Sequence, residues 1–393
     1  MGSGIAHACA QAGFSVSMRD VKDEFVEKGL ARIREALDKR VAKGKMAKSE
    51  QEAILGRVVG TTSAEDAVQN ADLVIEAVFE DQKVKKDVFA EVEKSAKADA
   101  LFATNTSSLS VSELSRVTKR ADRFIGLHFF NPAAVNVLVE VVAGEKTDRA
   151  VVEALLSFSR DLGKVPIETA DSPGFAVNRF FVPFLNEACR MAEEGTDYAT
   201  IEGAAKEAFG ISMGPFELMN FTGMPIALHA QETLHRALGE FYKPSALLRK
   251  QVESAQPFPL SGAPDSAKTA PVKEQLLGVC FAIAASLVDE NVATPADVDK
   301  GATLGLRWKR GPFAMMNEVG TRESLNLVEA ASSHHKGRLP VSRALRVLGE
   351  VKGVPRGQPW KIPRVRITVS AGVAVVTIDR PEAMNALNAD VLA

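Results

Sequence analysis

Short apolar runs alternate with helically spaced apolar positions over roughly the first 170 residues, and helical spacing alone follows. The most informative run, 124–130, reads F-I-G-L-H-F-F and stops at Asn131-Pro132. Proline cannot continue a sheet ladder, so a strand is predicted to end there. A second run, 137–142, reads V-L-V-E-V-V and is interrupted by one acid, Glu140. Further strands are predicted at 15–18, 57–61, 73–77, 101–104 and 164–168. Between them, apolar spacing predicts helices at 5–14 (Ile5, Ala8, Cys9, Ala12) and 22–43 (Phe25, Leu30, Ile33, Leu37, Val41), then at 63–70, 81–97, 109–117 and 148–162. Ser49 and Glu52 have the spacing of a capping box for one more helix after Gly44-Lys45, and Ser108 is the expected cap of 109–117. Strands interleaved with helices define an α/β domain, 1–172.

The remainder is helical and contains a repeat. Gly214-Pro215-Phe216 recurs as Gly311-Pro312-Phe313, and the same shift of 97 takes Ile201 to Val298, Asn220 to Asn317 and Gly223 to Gly320. Two helical units of like design are therefore expected, 173–256 and 273–350, with linkers rich in proline and glycine at 257–272 and 351–364. A long first helix is expected over 175–193. Residues 365–393 open on two alternating runs around Ala371-Gly372, which predicts a β-hairpin with exposed edges.

Charge is nearly balanced, with 48 basic and 50 acidic residues, which gives no footprint for nucleic acid or a charged membrane surface. Cys9, Cys189 and Cys280 are far apart and in no C-x-x-C pair. They read as reduced core residues of a cytosolic-type compartment, not disulfides or zinc ligands, and no metal site is expected. No run of 18 apolar residues predicts a membrane span, and no basic-then-apolar start predicts a signal peptide. The expected location is cytoplasmic, of prokaryotic type, with an organelle left open by the abrupt start of the first domain.

The candidate chemistry lies at strand ends. His128 and Asn131 fall near the carboxyl end of a strand, where open α/β sheets bind ligands. Glu140 in an apolar run needs a partner, because an unpaired buried charge is expensive. His128, twelve residues earlier across a turn, is the simplest one. A carboxylate on one imidazole nitrogen fixes the tautomer and leaves the other to act as a base. The plain alternative is a core histidine and an edge-strand glutamate facing water. Met1 to Ala6 reads M-G-S-G-I-A, a dinucleotide-binding βαβ unit entered halfway, in which Gly2 matches the third glycine of G-x-G-x-x-G. Asp20, eighteen residues on at the end of the next strand, fits the acid that holds the adenosine ribose and selects NAD, although Arg19 beside it blurs that preference. Asn105-Thr106-Ser107-Ser108 follows another strand and reads as a helix cap or a ligand cradle. Asn178 falls on the first turn of the long helix, where it is either a surface amide or directed at a cleft.

H-F-F-N-P at 128–132, N-T-S-S-L at 105–109, D-S-P-G-F-A-V-N-R at 171–179 and M-G-P-F-E-L at 213–218 together resemble the 3-hydroxyacyl-CoA dehydrogenases, the NAD-linked enzymes of fatty-acid β-oxidation. The resemblance runs to about Gly320. It implies a Rossmann-like domain followed by two all-α units like those of 6-phosphogluconate dehydrogenase. The strand and first two glycines of the nucleotide loop are expected to precede Met1, so this chain is expected to lack the central strand of its sheet. It also implies NAD as cofactor and (S)-3-hydroxyacyl-CoA or 3-hydroxybutyryl-CoA as substrate, lying between the two domains. Catalytic roles fall to His128, Glu140, Ser107 and Asn178. Cofactor contacts fall to Gly2, Asp20, Ala77, Glu80, Lys85, Asn105, Ser107 and Asn131, with a helix-surface ion pair as the plain reading of Glu80 and Lys85. Substrate contacts fall to Ser107, Asn131, Asn178 and Lys45. Lys39, Lys43 and Lys48 stand with Lys45 on a basic helical hairpin that meets CoA phosphates or is simply solvated. The doubled helical domain implies a homodimer or a pseudo-dimer within one chain. The second copy offers no clear counterpart to Asn178 and reads as structural. Residues 365–393, ending V-T-I-D-R-P-E-A-M-N-A-L, resemble the opening of an enoyl-CoA hydratase of the crotonase family, with Asp379 for the usual Asn. The piece is too short to carry that family's catalytic residues, so no hydratase activity is expected. Two other readings stay open: a non-catalytic protein on the same scaffold, like some lens crystallins, and another two-domain dehydrogenase of the hydroxyisobutyrate or sugar-acid type. The latter typically uses a catalytic lysine.

Overall fold

Residues 1–362, 365–370 and 373–378 are described by the structure, a computed structural model, in two units, Met1–Asp171 and Ser172–Ala393. The first unit runs α1 (Gly2–Gln11), β1 (Val16–Arg19), α2 (Asp23–Ala42), α3 (Lys48–Leu55), β2 (Val58–Thr61), α4 (Ala64–Val68), β3 (Leu73–Glu76), α5 (Gln82–Val92), β4 (Leu101–Thr104), α6 (Val111–Ser115), β5 (Phe124–Phe129), β6 (Leu138–Ala143), α7 (Arg149–Asp161) and β7 (Val165–Ala170). Strands β3, β4 and β5 are parallel neighbours, β6 is antiparallel to β5, and β7 is parallel to β6. Strands β1 and β2 pair with each other as a separate parallel ladder.

Apolar residues decide this layering. Helix α7 buries Val151, Val152 and Leu155 against Ile125, Leu127, Phe129, Val139 and Val141, joined by Ile5 and Cys9 of α1. On α5, the Phe89 ring lies 4.7 Å edge-on to Phe124 and 5.7 Å from Phe102. Each fully buried ring of this kind contributes about 1.5–3 kcal/mol by leaving water. The three cysteines are buried and free, and burial pushes the Cys9 thiol up to about 11 and Cys189 up to about 12.

Two helix starts differ from expectation. Helix α3 has Ala47 at its N-cap with no side-chain cap, so Ser49 and Glu52 form no capping box. Helix α6 is capped by Ser110, whose Oγ accepts from the Glu113 N–H, rather than by Ser108. Ser108 turns to Glu80, and Asp171 takes the remaining first-turn donors of α6, accepting from the N–H groups of Val111 (3.0 Å) and Ser112 (2.8 Å).

The second unit contains α8 (Val177–Glu193), α9 (Tyr198–Phe209), α10 (Pro215–Thr222), α11 (Met224–Leu238), α12 (Ala246–Ser254), α13 (Ser266–Asp289), α14 (Pro295–Lys300), α15 (Pro312–Val319), α16 (Thr321–His334) and α17 (Arg343–Gly349), then β8 (Val365–Ser370) and β9 (Val373–Ile378). Among the described residues α13 is long and apolar enough, by length and composition, to cross a membrane, with a mean hydropathy of 1.4 over an 18-residue window. It packs on α8, α9 and α16, and 67% of that window is buried. A helix apolar on all sides is what such a position demands.

The sequence repeat is a structural device made twice. The Glu202 carboxylate accepts from the N–H groups of Phe216 (2.5 Å) and Glu217 (3.1 Å) at the start of α10. Asp299, 97 residues on, accepts from Phe313 (2.8 Å) and Ala314 (2.9 Å) at the start of α15. A Cβ on Gly214 would come within 2.2 Å of Glu202, and one on Gly311 within 2.3 Å of Asp299, so glycine is required at both. The ends match too: Asn220 exchanges two hydrogen bonds with the backbone of Phe258 (3.0 and 2.8 Å), and Asn317 does so with Trp360 (3.0 and 2.7 Å). Phe258 and Trp360 are buried. Each expected linker thus begins or ends as a strap closing its own copy. Strands β8 and β9 pair antiparallel. Their turn at Ala371-Gly372, and residues 379–393 with the D-R-P-E-A-M-N motif, lie outside the described residues.

Candidate active site

Because β3, β4 and β5 are parallel neighbours, their carboxyl ends share one edge of the sheet, and six of the expected residues (Ala77, Glu80, Asn105, Ser107, His128 and Asn131) stand there or just beyond. Side chains fasten these ends together. The Asn105 N–H donates to the Glu76 carbonyl (2.8 Å), and Asn105 Oδ1 accepts from the Phe129 N–H (2.8 Å). Asn105 therefore spends its carbonyl on the backbone next to His128.

His128 and Glu140 are register partners across β5 and β6. His128 Nδ1 lies 2.6 Å from Glu140 Oε2, and both side chains are buried. An antiparallel pair directly opposite points both side chains to the same face, which brings an imidazole and an acid together in an otherwise apolar strand pair. The Phe130 ring packs 4.6 Å from the imidazole. Asn131 is exposed beyond the strand end, joined to Pro132 by a cis peptide bond. Behind it, the buried Lys164 Nζ donates to the carbonyls of Ala133 (2.7 Å) and Asn136 (2.8 Å), holding the turn. The sequence reading missed Lys164; a lysine opening an apolar strand was its only signal.

Glu80 organises the next loop. Its Oε1 accepts from the Thr106 hydroxyl (2.6 Å), the Ser107 N–H (2.9 Å) and hydroxyl (3.2 Å), and the Ser108 N–H and hydroxyl (3.1 Å each). Its Oε2 lies 3.3 Å from Lys85 Nζ. Lys85 is 1% exposed and also donates to Glu76 Oε1 (2.8 Å), so a buried lysine meets a half-buried Glu80 rather than forming a helix-surface pair. Glu76, also missed in sequence, accepts from Thr104 Oγ1 (2.7 Å) as well. Ala77, half-buried, follows directly on β3. Burial works to raise the Glu80 carboxyl, but the Lys85 charge and the donors from Thr106 and Ser107 outweigh it and hold it below the usual carboxylate range. A depressed folded value stabilises the unit above the ordinary carboxyl range, and this contribution is lost as pH falls through the lower value. Urea midpoints measured from pH 7 down to pH 4 should fall less steeply in Glu80→Gln than in the parent chain.

A nucleotide finds two fitting features. Met1 gives α1 no side-chain cap, and the first turn carries no acid, so its N-terminal donors suit a pyrophosphate. Nothing lies within 4 Å of a Cβ built on Gly2. Asp20 is exposed at the end of β1, with Oδ1 accepting from the Val21 N–H (2.7 Å). Arg19 is turned away onto Glu91 through two 3.1 Å contacts, which removes the cation that would favour a 2′-phosphate. The residues present therefore fit NAD. Among the basic residues of the α2–α3 hairpin, Lys39 is held by Glu35 (2.7 Å) and Lys48 by Gln51 (2.7 Å), while Lys43 and Lys45 are exposed. Asn178 belongs to the second unit, half-buried on the first turn of α8.

A nucleotide-binding α/β unit with a buried His–Glu pair at its strand ends, followed by helices, defines a two-domain dehydrogenase. The family described as 3-hydroxyacyl-CoA dehydrogenase, NAD binding domain, matches residues 1–172. The 3-hydroxyacyl-CoA dehydrogenase C-terminal domain matches residues 174–258 and again 272–355. The chain belongs to the 3-hydroxyacyl-CoA dehydrogenase family and is an NAD-dependent enzyme of that kind. A probable 3-hydroxybutyryl-CoA dehydrogenase of Deinococcus radiodurans is 39% identical over 256 residues, 65% of this chain and 91% of that protein. The mitochondrial hydroxyacyl-coenzyme A dehydrogenase of Homo sapiens is 39% identical over 261 residues, 64% of this chain and 83% of that protein. The crystal structure of 3-hydroxybutyryl-CoA dehydrogenase from Escherichia coli K12 superposes with a TM-score of 0.82 at 25% identity, covering 89% of this chain and 96% of that one.

Proposed function

We propose that this chain oxidises (S)-3-hydroxyacyl-CoA to 3-oxoacyl-CoA with His128 as the base, and that short acyl chains such as 3-hydroxybutyryl are among its substrates. The observation that carries the reading is the 2.6 Å contact between His128 Nδ1 and Glu140 Oε2 in a buried strand pair. Bound NAD supplies the hydride acceptor. His128 Nε2 takes the proton of the 3-hydroxyl as the C3 hydride leaves. Glu140 fixes the ring tautomer and stabilises the imidazolium that forms. The Ser107 hydroxyl, set by the Glu80 cradle, holds the thioester carbonyl, and Asn178 is the substrate-binding amide of the second unit. Asn131 positions the reacting groups beside His128, and Lys45 meets the CoA phosphates. The inclusion of short chains rests on the 3-hydroxybutyryl-CoA relatives.

NADH oxidation with acetoacetyl-CoA tests the reading directly. Steady turnover supports it; folded protein with no turnover would favour the non-catalytic scaffold instead. Asp20→Ala should raise the KM for NADH about 10–100-fold, the equivalent of losing a charged hydrogen bond. It should leave turnover at saturating NADH little changed, and a KM within twofold of the parent chain would remove Asp20 from the site.

A further inference from the structure

We propose that Glu187, His334 and His335 form a site for a divalent transition-metal ion, best suited to Zn²⁺, that staples the two helical copies together. Glu187 lies in the middle of α8, in the first copy. His334 ends α16 and His335 is its C-cap, in the second. One ligand atom from each residue falls within 4.8 Å of the other two. His335 Nε2 is 2.9 Å from Glu187 Oε1, and His334 Nε2 is 3.0 Å from Glu194 Oε1, so a second carboxylate stands at the outer side.

The donor set points to the metal class. Two imidazoles and a carboxylate without thiolate suit zinc and its first-row neighbours, whereas calcium and magnesium take oxygen ligands. Tetrahedral zinc holds such donors about 3.4 Å apart. His334 is half exposed at a helix end, so its side chain can rotate to close the gap, while the other two donors are fixed. Glu187 is 1% exposed and His335 12%. The His335 ring lies edge-to-face with Phe241 at 5.1 Å. An ion replaces the proton that His335 Nε2 shares with Glu187 and releases it to water.

The surroundings resemble an outer shell. Gln275 donates to Glu187 Oε1 at 2.7 Å and fixes the carboxylate. Gln275 stands 97 residues after Asn178, so the second copy does carry an amide at the repeat position, put to a different use. Burial pushes the Glu187 carboxyl up, but His335, Arg190 and Gln275 outweigh this and hold it ionised below the usual range. Arg190, Lys243, Lys336 and Arg338 nearby oppose a cation. The acids Glu187, Glu193, Glu194 and Glu240 match them in number; Arg190 Nη2 donates to the carbonyls of Phe241 and Lys243, and Nη1 donates to Glu187 Oε2 (3.3 Å), which leaves Oε1 toward His335 as the ligand atom. His334 and His335 line a cavity of about 300 Å³, with Phe241 and Lys243 among its other walls, while Glu187 lies buried behind them; the cavity leaves room for water as the fourth ligand.

The test uses the full chain without a histidine tag, stripped with chelator and titrated with ZnCl₂ by calorimetry. One equivalent should bind, and melting should move to higher temperature as zinc is added. CoCl₂ in place of zinc should give the visible absorption of a four-coordinate nitrogen–oxygen site. His334→Ala, an exposed position that leaves the fold intact, and Glu187→Gln should each abolish the stoichiometric site. Gln275→Leu should weaken it about 10–100-fold, the usual effect of removing an outer-shell partner. No saturable binding below the millimolar range, or one equivalent that survives His334→Ala, would overturn the proposal and leave the cluster as a hydrogen-bonded contact only.

Discussion

His128→Gln should lower kcat for acetoacetyl-CoA reduction by about 10²–10⁴, the usual contribution of a positioned acid–base group, while acetoacetyl-CoA binding and melting temperature stay close to those of the parent chain. Glutamine keeps the volume and an amide N–H that can still reach Glu140, so the buried carboxylate is not left without a donor. What it lacks is a nitrogen that cycles between neutral and protonated states. In the direction of reduction that nitrogen delivers the proton to the forming hydroxyl. The split between kcat and binding is the diagnostic part. A variant with parental turnover would refute the assignment of His128. A variant that loses binding and stability together would mean that the His128–Glu140 contact, 2.6 Å long in the middle of a strand pair, serves packing first and chemistry second.

That pair was legible in the sequence because two strong local constraints converge on it. Proline stops the strand, and an acid in an apolar run must find a partner within reach. With β5 and β6 antiparallel, His128 and Glu140 become register partners, and a shift of one residue would have put the acid on the other face. The helical duplication was legible for a similar reason: Gly-Pro-Phe is unusual wording, and the glycines cannot change without a Cβ colliding with Glu202 or Asp299.

Where the sequence reading failed, the deciding contact came from far away in the chain. Ser108 and Ser110 are equally good caps locally. The choice is made by Glu80 and Asp171, which take different donors of the same turn 28 and 61 residues away. Local composition marks the proline-rich stretches as linkers and says nothing of the two aromatic residues within them, Phe258 and Trp360, which are pinned by Asn220 and Asn317. The recurrence of Gln-Pro before both aromatic residues, Gln256-Pro257-Phe258 and Gln358-Pro359-Trp360, was a signal available in the sequence. Nothing comparable marks Glu187 and His335, 148 residues apart.

Lys85→Met should destabilise the first unit by about 3–5 kcal/mol, because it strips a buried ion pair of one partner. The ammonium is 1% exposed, bonded to Glu76 Oε1 at 2.8 Å and set 3.3 Å from Glu80 Oε2. Methionine fills the volume and supplies no charge, so Glu76 keeps only the Val78 N–H (2.6 Å) and the Thr104 hydroxyl (2.7 Å). In a unit of this size the melting temperature should fall by about 10 °C. The double variant Glu76→Gln, Lys85→Met should recover more than half of the loss, since the amide carbonyl accepts from the Val78 N–H and its NH2 donates to the Thr104 hydroxyl, with no desolvated charge left behind. A single variant that melts within 2 °C of the parent would show that water reaches the pair. The consequence for activity follows from the same geometry. Lys85 holds Glu80, and Glu80 holds the hydroxyl and N–H of Ser107, so loosening the lysine frees the serine proposed to grip the thioester. At a temperature where the Lys85→Met chain is still folded, KM for acetoacetyl-CoA should rise with kcat less affected. A rise in KM for NADH alone would instead place the lysine against the nicotinamide ribose, the role the family resemblance implies.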